Sequence, residues 1–274
     1  MTDLYAVMGN PIAHSLSPRI HGWFAQQTGQ DLRYEARLVA VDGFAHAVAA
    51  FREEGGKGLN ITVPFKQEAW KLATTRSPRA QRAGAVNTLV IGENDSLYGD
   101  TTDGVGLLRD LTGNLGLDLA GMDILLLGAG GAVRGVLEPL LAQGPRRLLI
   151  ANRTAERAAT LAADYRTLGA VEGCGFDDLA GQDFDLVING TAAGLQDEVP
   201  AIPGTVLKRG GCGYDMMYGT EPTAFVRWCR EQGAGRTADG LGMLVEQAAE
   251  SFFLWRGVRP GTAPVIARLR GDGV

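Results

Sequence analysis

Short apolar runs alternate with amphipathic stretches along the whole chain, the pattern of strands followed by helices. Residues 4–8 predict a strand, Pro18 opens a helix reaching about residue 28, and residues 32–39 predict a second strand. A helix over 44–51, a strand over 59–63 and a helix over 66–72 continue the alternation. Runs at 87–91 and 96–98 flank the turn-rich Gly92-Glu93-Asn94-Asp95 and predict a hairpin, after which 103–111 is helical. A loop over 113–121 follows. The pattern then restarts with a buried strand at 124–127, a helix at 132–141, a strand at 148–151 and a helix at 154–165. Strands at 185–188 and 213–216 and a helix at 222–231 extend it in doubly wound fashion. The final strong helix, 241–255, carries apolar residues at 241, 244, 245, 248, 252 and 255, a one-sided stripe. No repeat or low-complexity linker interrupts this order.

Composition narrows the picture. At roughly 150 residues per domain, 274 residues imply about two domains. A hydrophobic content of 45% with 21% charged residues excludes a disordered or collagen-like chain. Lys and Arg number 26 against 31 acids, and a net charge of -5 leaves no basic stripe for a nucleic-acid partner. Cys174, Cys212 and Cys229 are odd in number and form no CxxC pair, so neither a disulfide framework nor a metal site is expected, and a reducing cytoplasm is. Asp3 sits where a signal peptide wants positive charge, and the apolar stretch 124–133 is well short of the ~20 residues that span a bilayer, so no membrane association is expected.

The most informative local chemistry is the turn Gly128-Ala129-Gly130-Gly131-Ala132 between a buried strand and a helix. Glycines there let a backbone approach a pyrophosphate, and the amides and dipole at the helix N-terminus favour its charge. Val133 stands where the G-x-G-x-x-G pattern has its third glycine. The next strand runs into Asn152-Arg153-Thr154, where an NAD-binding unit would carry an acid on the ribose. The acid is missing, and Arg153 with Arg157 one turn later suits a 2'-phosphate, so NADP(H) is the expected cofactor. The plain alternative is that Asn152 or Thr154 only caps the helix, which is compatible with binding.

In the first half, Ser15 and Ser17 stand two apart before Pro18, so an extended segment would converge both hydroxyls on a carboxylate, unless Ser17 merely caps the helix. Strand alternation puts Asn60 and Thr62 on one face and buries Leu59, Ile61 and Val63 on the other. Lys66 follows at the strand's carboxyl end, where α/β sheets bind ligands, and could orient a hydroxyl and pass a proton. Asn87 and Asp103 are further polar candidates, although Asp103 could simply cap its helix.

Taken together, Gly9-Asn10-Pro11 with Ser15-Leu16-Ser17-Pro18, residues 60–66, Gly84-Ala85-Val86-Asn87-Thr88, Thr102-Asp103-Gly104, residues 128–132, Asn152-Arg153-Thr154 and Asp239-Gly240-Leu241-Gly242-Met243-Leu244 occur in one order across nearly the whole chain. In this the sequence resembles the NADP-dependent shikimate dehydrogenases of bacteria. The resemblance implies reduction of 3-dehydroshikimate to shikimate on an α/β fold. It implies an N-terminal α/β substrate domain over 1–103, completed by the segment 241–274, and a doubly wound Rossmann-type NADP-binding domain over 104–240, with a cleft between them. It further implies Lys66 as proton donor with Asp103 as its partner. Ser15 and Ser17 would hold the substrate carboxylate, and Thr62, Asn87, Tyr218 and Gln247 would line the pocket. Met216 and Gly240 would lie near the nicotinamide. Monomer and homodimer both remain open. Two rivals stand beside this reading: a quinate/shikimate dehydrogenase with relaxed substrate or NAD preference, and a non-catalytic NADP-binding regulator.

Overall fold

The computed structural model describes residues 2–94, 96–191, 193 and 198–272. Asp95, the last residue of the expected hairpin turn, lies outside them. The chain divides into one unit of Met1–Gly106 with Val245–Arg268 and another of Leu107–Leu244 with Leu269–Val274.

The first unit runs β1 (Asp3–Gly9), α1 (Ser17–Thr28), β2 (Leu32–Leu38), α2 (Phe44–Glu53), β3 (Gly56–Ile61), α3 (Lys66–Leu72), β4 (Thr75–Arg76), α4 (Pro78–Ala83), β5 (Thr88–Ile91) and β6 (Leu97–Asp100), and α5 (Asp103–Arg109) begins in it. Its strands form one sheet in the order β2-β1-β3-β5-β6-β4. β1 is parallel to β2 and β3, whereas β5 is antiparallel to β3 and β6. Met8, Phe44, Phe51, Leu59 and Phe65 form the centre of its core. Each such side chain contributes about 1.5–3 kcal/mol of burial.

Two local expectations fail here. β3 ends at Ile61, so Thr62 is not on the strand, and Val63 is 65% exposed rather than buried. The cause is the turn that follows: the amide of Phe65 bonds the carbonyl of Thr62, the Val63–Pro64 bond is cis, and Phe65 takes the core position, stacked on Phe44 at 5.0 Å. Asn10–Pro11 is also cis.

The second unit runs β7 (Asp123–Leu127), α6 (Gly131–Leu141), β8 (Arg147–Asn152), α7 (Ala155–Tyr165), β9 (Val171–Gly175), β10 (Phe184–Asn189), β11 (Leu207–Asp215), α8 (Ala224–Glu231) and β12 (Arg236–Ala238). All six strands are parallel in the order β12-β11-β10-β7-β8-β9, so the strand order reverses beside β7. That reversal is the doubly wound switch point, where α/β sheets take ligands at the strand carboxyl ends. Ile124 to Leu127 are fully buried, as a strand covered on both faces requires.

α9 (Leu241–Arg256) and α10 (Ala263–Gly271) complete the chain. α9 is not the expected one-sided stripe: Glu246, Glu250 and Ser251 are buried along with its apolar residues. Polar partners make this tolerable, because Thr262 bonds Glu246 at 2.6 Å and Arg259 bonds Glu250 at 2.7 Å. Among the described residues no helix is long and apolar enough to cross a membrane, and no cluster of His, Cys, Asp or Glu is placed to hold a metal ion.

Candidate functional site

In the first unit, Lys66 opens α3 directly after the buried Phe65, which pins the turn and leaves the lysine partly exposed. Its Nζ lies 2.6 Å from Asp103 Oδ2. Asp103 opens α5, but its carboxylate is not spent on a cap: the other oxygen, Oδ1, accepts from Asn87 Nδ2 at 2.9 Å. Asn87 sits where the sheet fixes its main chain, with its amide bonding Asp100 and its carbonyl accepting from Ile61. Gln247 reaches the group from α9, with Oε1 3.3 Å from both Asn87 Nδ2 and Thr102 Oγ1. The structure thus gathers Lys66, Asn87, Asp103 and Gln247 into one hydrogen-bonded cluster.

Ser15 and Ser17 are not among the hydrogen-bonding members of that cluster, and Ser17 reaches Tyr34 instead. Leu16, between Ser15 and Ser17, has helical dihedrals, and the amide of Ile20 already bonds its carbonyl, so the segment is not extended through both serines. The amide of Ser17 instead donates to Ser15 Oγ at 3.3 Å. Helix formation one residue earlier than expected makes Leu16 the cap position, and Ser17 the first helical residue. Thr62 bonds Met8 through its amide and packs its methyl group against Gly9, where any Cβ would lie 2.4 Å from it.

Several polar residues of this unit escaped sequence reasoning. Tyr34 donates to Asn60 Oδ1 at 2.7 Å, and Ser251 Oγ is 3.0 Å from Asn60 Nδ2 and 2.8 Å from Thr88 Oγ1. Burial pushes the Tyr34 phenol well above the ordinary tyrosine range, opposed by a hydrogen bond from Ser17. Ser251 sits 191 residues from Asn60, so no local pattern announces it. A serine inside the apolar stretch of α9 was the only available signal.

In the second unit, Gly128 has φ +105°, a conformation that favours glycine, and a Cβ there would meet the Gly190 carbonyl oxygen at 3.1 Å. At Gly130 and Gly131 a Cβ would meet nothing within 4 Å, so this stretch of the turn faces open space. No side chain caps α6. Uncapped amides around exposed glycines at a helix N-terminus beside the switch point fit a dinucleotide pyrophosphate. Ala129 is partly buried and Ala132 exposed in the same turn. Val133 points into the core, and a Cβ on Gly190 would lie 2.6 Å from its Cγ2.

Beyond β8, Asn152 Nδ2 donates to the carbonyl of Thr154 at 3.0 Å, and Thr154 occupies the cap position of α7 without a side-chain cap bond. Arg153 and Arg157 are exposed, and neither pairs with an acid among the described residues. Met216 follows β11, its amide bonded to the carbonyl of Asn189. Gly240 is required by close approach, since a Cβ there would lie 2.2 Å from the Met216 carbonyl oxygen. Tyr218 lies in the same loop, half-buried, and burial raises its phenol pKa, so it is a neutral hydroxyl at physiological pH.

Comparison with known proteins bears on what this geometry serves. Residues 7–89 match the family model "Shikimate dehydrogenase substrate binding domain", residues 111–196 match "Shikimate / quinate 5-dehydrogenase", and residues 240–270 match "Shikimate 5'-dehydrogenase C-terminal domain". The shikimate dehydrogenase (NADP(+)) of Methylococcus capsulatus is 60% identical over 270 residues, covering 98% of this chain and 97% of its own. Among solved structures, an Ael1 enzyme from Pseudomonas putida superposes with a TM-score of 0.91 at 48% identity, covering 98% of both chains. Shikimate 5-dehydrogenase from Thermus thermophilus, solved with NADP(H) and shikimate, gives a TM-score of 0.88 at 31% identity over 100% of both chains. On this full-length similarity, the chain belongs to the shikimate dehydrogenase family.

Proposed function

We propose that this chain is an NADP-dependent oxidoreductase that interconverts 3-dehydroshikimate and shikimate, with the first unit binding substrate and the second binding NADP(H). The observation that carries the reading is the Lys66–Asp103 pair, 2.6 Å apart and backed by Asn87 and Gln247. Ser15, Ser17, Thr62 and Tyr218 complete the proposed substrate contacts. Gly128, Ala129, Gly130, Gly131 and Ala132 would cradle the pyrophosphate, Asn152, Arg153, Thr154 and Arg157 the adenosine side, and Met216 and Gly240 the nicotinamide side.

When bound, NADPH supplies the two electrons and one hydrogen that the ketone carbon receives. The carbonyl oxygen then needs a proton, and Lys66 Nζ is the donor group of the cluster. Asp103 holds that ammonium in place through Oδ2 while Asn87 fixes its other oxygen, so the pair is oriented before substrate arrives. Lys66 is 29% exposed at its side chain, which lets solvent return the proton after each turnover. In the reverse direction the same amine accepts the hydroxyl proton. A cytoplasmic location belongs to this reading, in keeping with three free cysteines.

The test is absorbance at the nicotinamide band with shikimate and NADP, with quinate and NAD as controls. Turnover confined to shikimate and NADP is expected. Equal rates with quinate or NAD would favour a relaxed quinate/shikimate dehydrogenase, and no turnover with any pair would favour a non-catalytic NADP-binding protein. Because a guanidinium at Arg153 binds a 2'-phosphate that NADH lacks, Arg153→Ala should raise KM for NADPH about tenfold or more and leave NADH nearly unchanged. Equal losses for both cofactors would remove Arg153 from the phosphate site.

A further inference from the structure

Behind the Lys66–Asp103 pair lies a continuous line of hydrogen bonds through buried side chains of the first unit. Its direction is fixed by two backbone groups that have no choice of role. The amide N–H of Thr102 can only donate, and it lies 2.9 Å from Asn87 Oδ1. Asn87 must therefore turn its Nδ2 toward Asp103. The carbonyl of Asn87 can only accept, and it lies 3.3 Å from Asn60 Nδ2. Asn60 must then offer Oδ1 to Tyr34, whose hydroxyl has to donate.

Between the two amides stand Ser251 and Thr88, both fully buried. Asn60 Nδ2 donates to Ser251 Oγ at 3.0 Å, Ser251 Oγ and Thr88 Oγ1 are 2.8 Å apart, and Thr88 Oγ1 donates to Asn87 Oδ1 at 2.9 Å. Thr88 gives its one proton to Asn87, the one proton of Ser251 is shared between Thr88 Oγ1 and the carbonyl of Gln247 at 3.1 Å, and Asn60 Nδ2 also reaches Thr88 Oγ1 directly at 3.3 Å. The donors then run one way: Tyr34 to Asn60, Asn60 to Thr88 both directly and by way of Ser251, Thr88 to Asn87, and Asn87 to the Asp103 carboxylate. Each bond in such a series polarises the next, and the series ends on a negative charge.

We propose that Tyr34, Asn60, Ser251 and Thr88 form a directed hydrogen-bond relay that holds Asn87, and through it Asp103, in register with Lys66. The inference rests on the reaction proposed above. Thr88, Ser251 and Tyr34 are positioning residues: they act through Asn87 and touch neither Lys66 nor Asp103.

The test uses the full-length enzyme and a pair of variants at Thr88. Thr88→Val keeps the shape and β-branching of the side chain and deletes the hydroxyl, whereas Thr88→Ser keeps the hydroxyl and deletes the methyl group. Thr88→Val should lower kcat about tenfold with KM for NADPH unchanged, and Thr88→Ser should keep kcat within about twofold of the wild type. A role in packing alone would make the two variants alike, or Thr88→Ser the worse, and that outcome overturns the proposal. Tyr34→Phe, at the far end, provides a second arm. Combined with Thr88→Val it should add no further loss in kcat, because the relay is already cut, whereas multiplying losses overturn the proposal. Wild-type enzyme and Lys66→Ala are assayed alongside. Absent wild-type turnover refutes the proposed reaction itself, while normal wild-type turnover with an unaffected Thr88→Val refutes only the relay.

Discussion

Replacing Lys66 by alanine is expected to lower kcat by about a hundredfold or more, with a much smaller change in KM for shikimate. The reason lies in what the side chain does at each stage. In the ground state of the proposed reaction the ring substrate would keep other polar partners in Asn87, Gln247 and the serines, so losing one amine should remove little binding. In the proposed transition state negative charge grows on the carbonyl oxygen, and the ammonium would be the group to neutralise it. Asp103 accepts from that ammonium at 2.6 Å, so the alanine variant also leaves a carboxylate without its cation. Steady-state kinetics in the shikimate-oxidising direction decides the matter. A raised KM with kcat intact would make Lys66 a binding residue and leave the proton transfer without a donor.

A second large effect is expected far from the chemistry, in the dependence of stability on pH. His21 is completely buried in α1, stacked on Tyr34 at 4.2 Å and 7° and surrounded by Phe24, Phe252 and Trp255. Neither ring nitrogen has a hydrogen-bond partner of good geometry among the described residues, and Asn60 is the polar side chain beside the ring. Burial, opposed by the nearby Asn60 side chain, lowers its pKa from 6.5 to about 3, so the folded protein keeps the ring neutral. The unfolded chain takes up a proton below about pH 6.5 and the folded chain does not until about pH 3. Stability is therefore complete above pH 6.5 and falls as the pH drops toward 3, by about 1.4 kcal/mol per pH unit from this one group. Over the whole interval the loss approaches about 5 kcal/mol, a large share of the roughly 5–15 kcal/mol that holds a typical protein folded. His21→Phe keeps a ring in the stack and removes the titration. Urea unfolding of the two proteins between pH 7 and pH 4.5 should show stabilities that diverge by about 3 kcal/mol in favour of the variant as acid is added. Parallel curves would mean that the ring is protonated, or reached by water, in the native state.

How far the sequence foretold this molecule depends on the separation of the residues involved. The run Ile124 to Leu127 and the glycines after it are contiguous, and both the strand and the open turn stand where the pattern put them. Lys66 and Asp103 open α3 and α5 as periodicity predicted, but their approach across 37 positions follows from the sheet, which periodicity does not describe. β9 is absent from the sequence expectations, since Gly173 and Gly175 leave it little apolar periodicity. Gly173 is a strand position where α7 comes so close that a Cβ would lie 2.3 Å from the Ala158 backbone. β4 and β12 are too short to show a period. Tyr34, Thr88 and Ser251 carry no role in the sequence reading, because each looks ordinary among its neighbours. Their polarity acquires a purpose only when three distant segments meet around Asn60.

The contact between Val133 and Gly190 has a consequence for reading such chains. A helix that hugs a sheet needs one absent side chain at the point of closest approach, and the usual fingerprint assigns that absence to the helix. Here the missing side chain belongs to the residue after β10. The two positions therefore form a lock whose notch can be cut in either half, and only an exchange made in both together preserves the fit. A fingerprint scored on the helix alone counts Val133 as a defect, although the distance it guards has been kept from the opposite side.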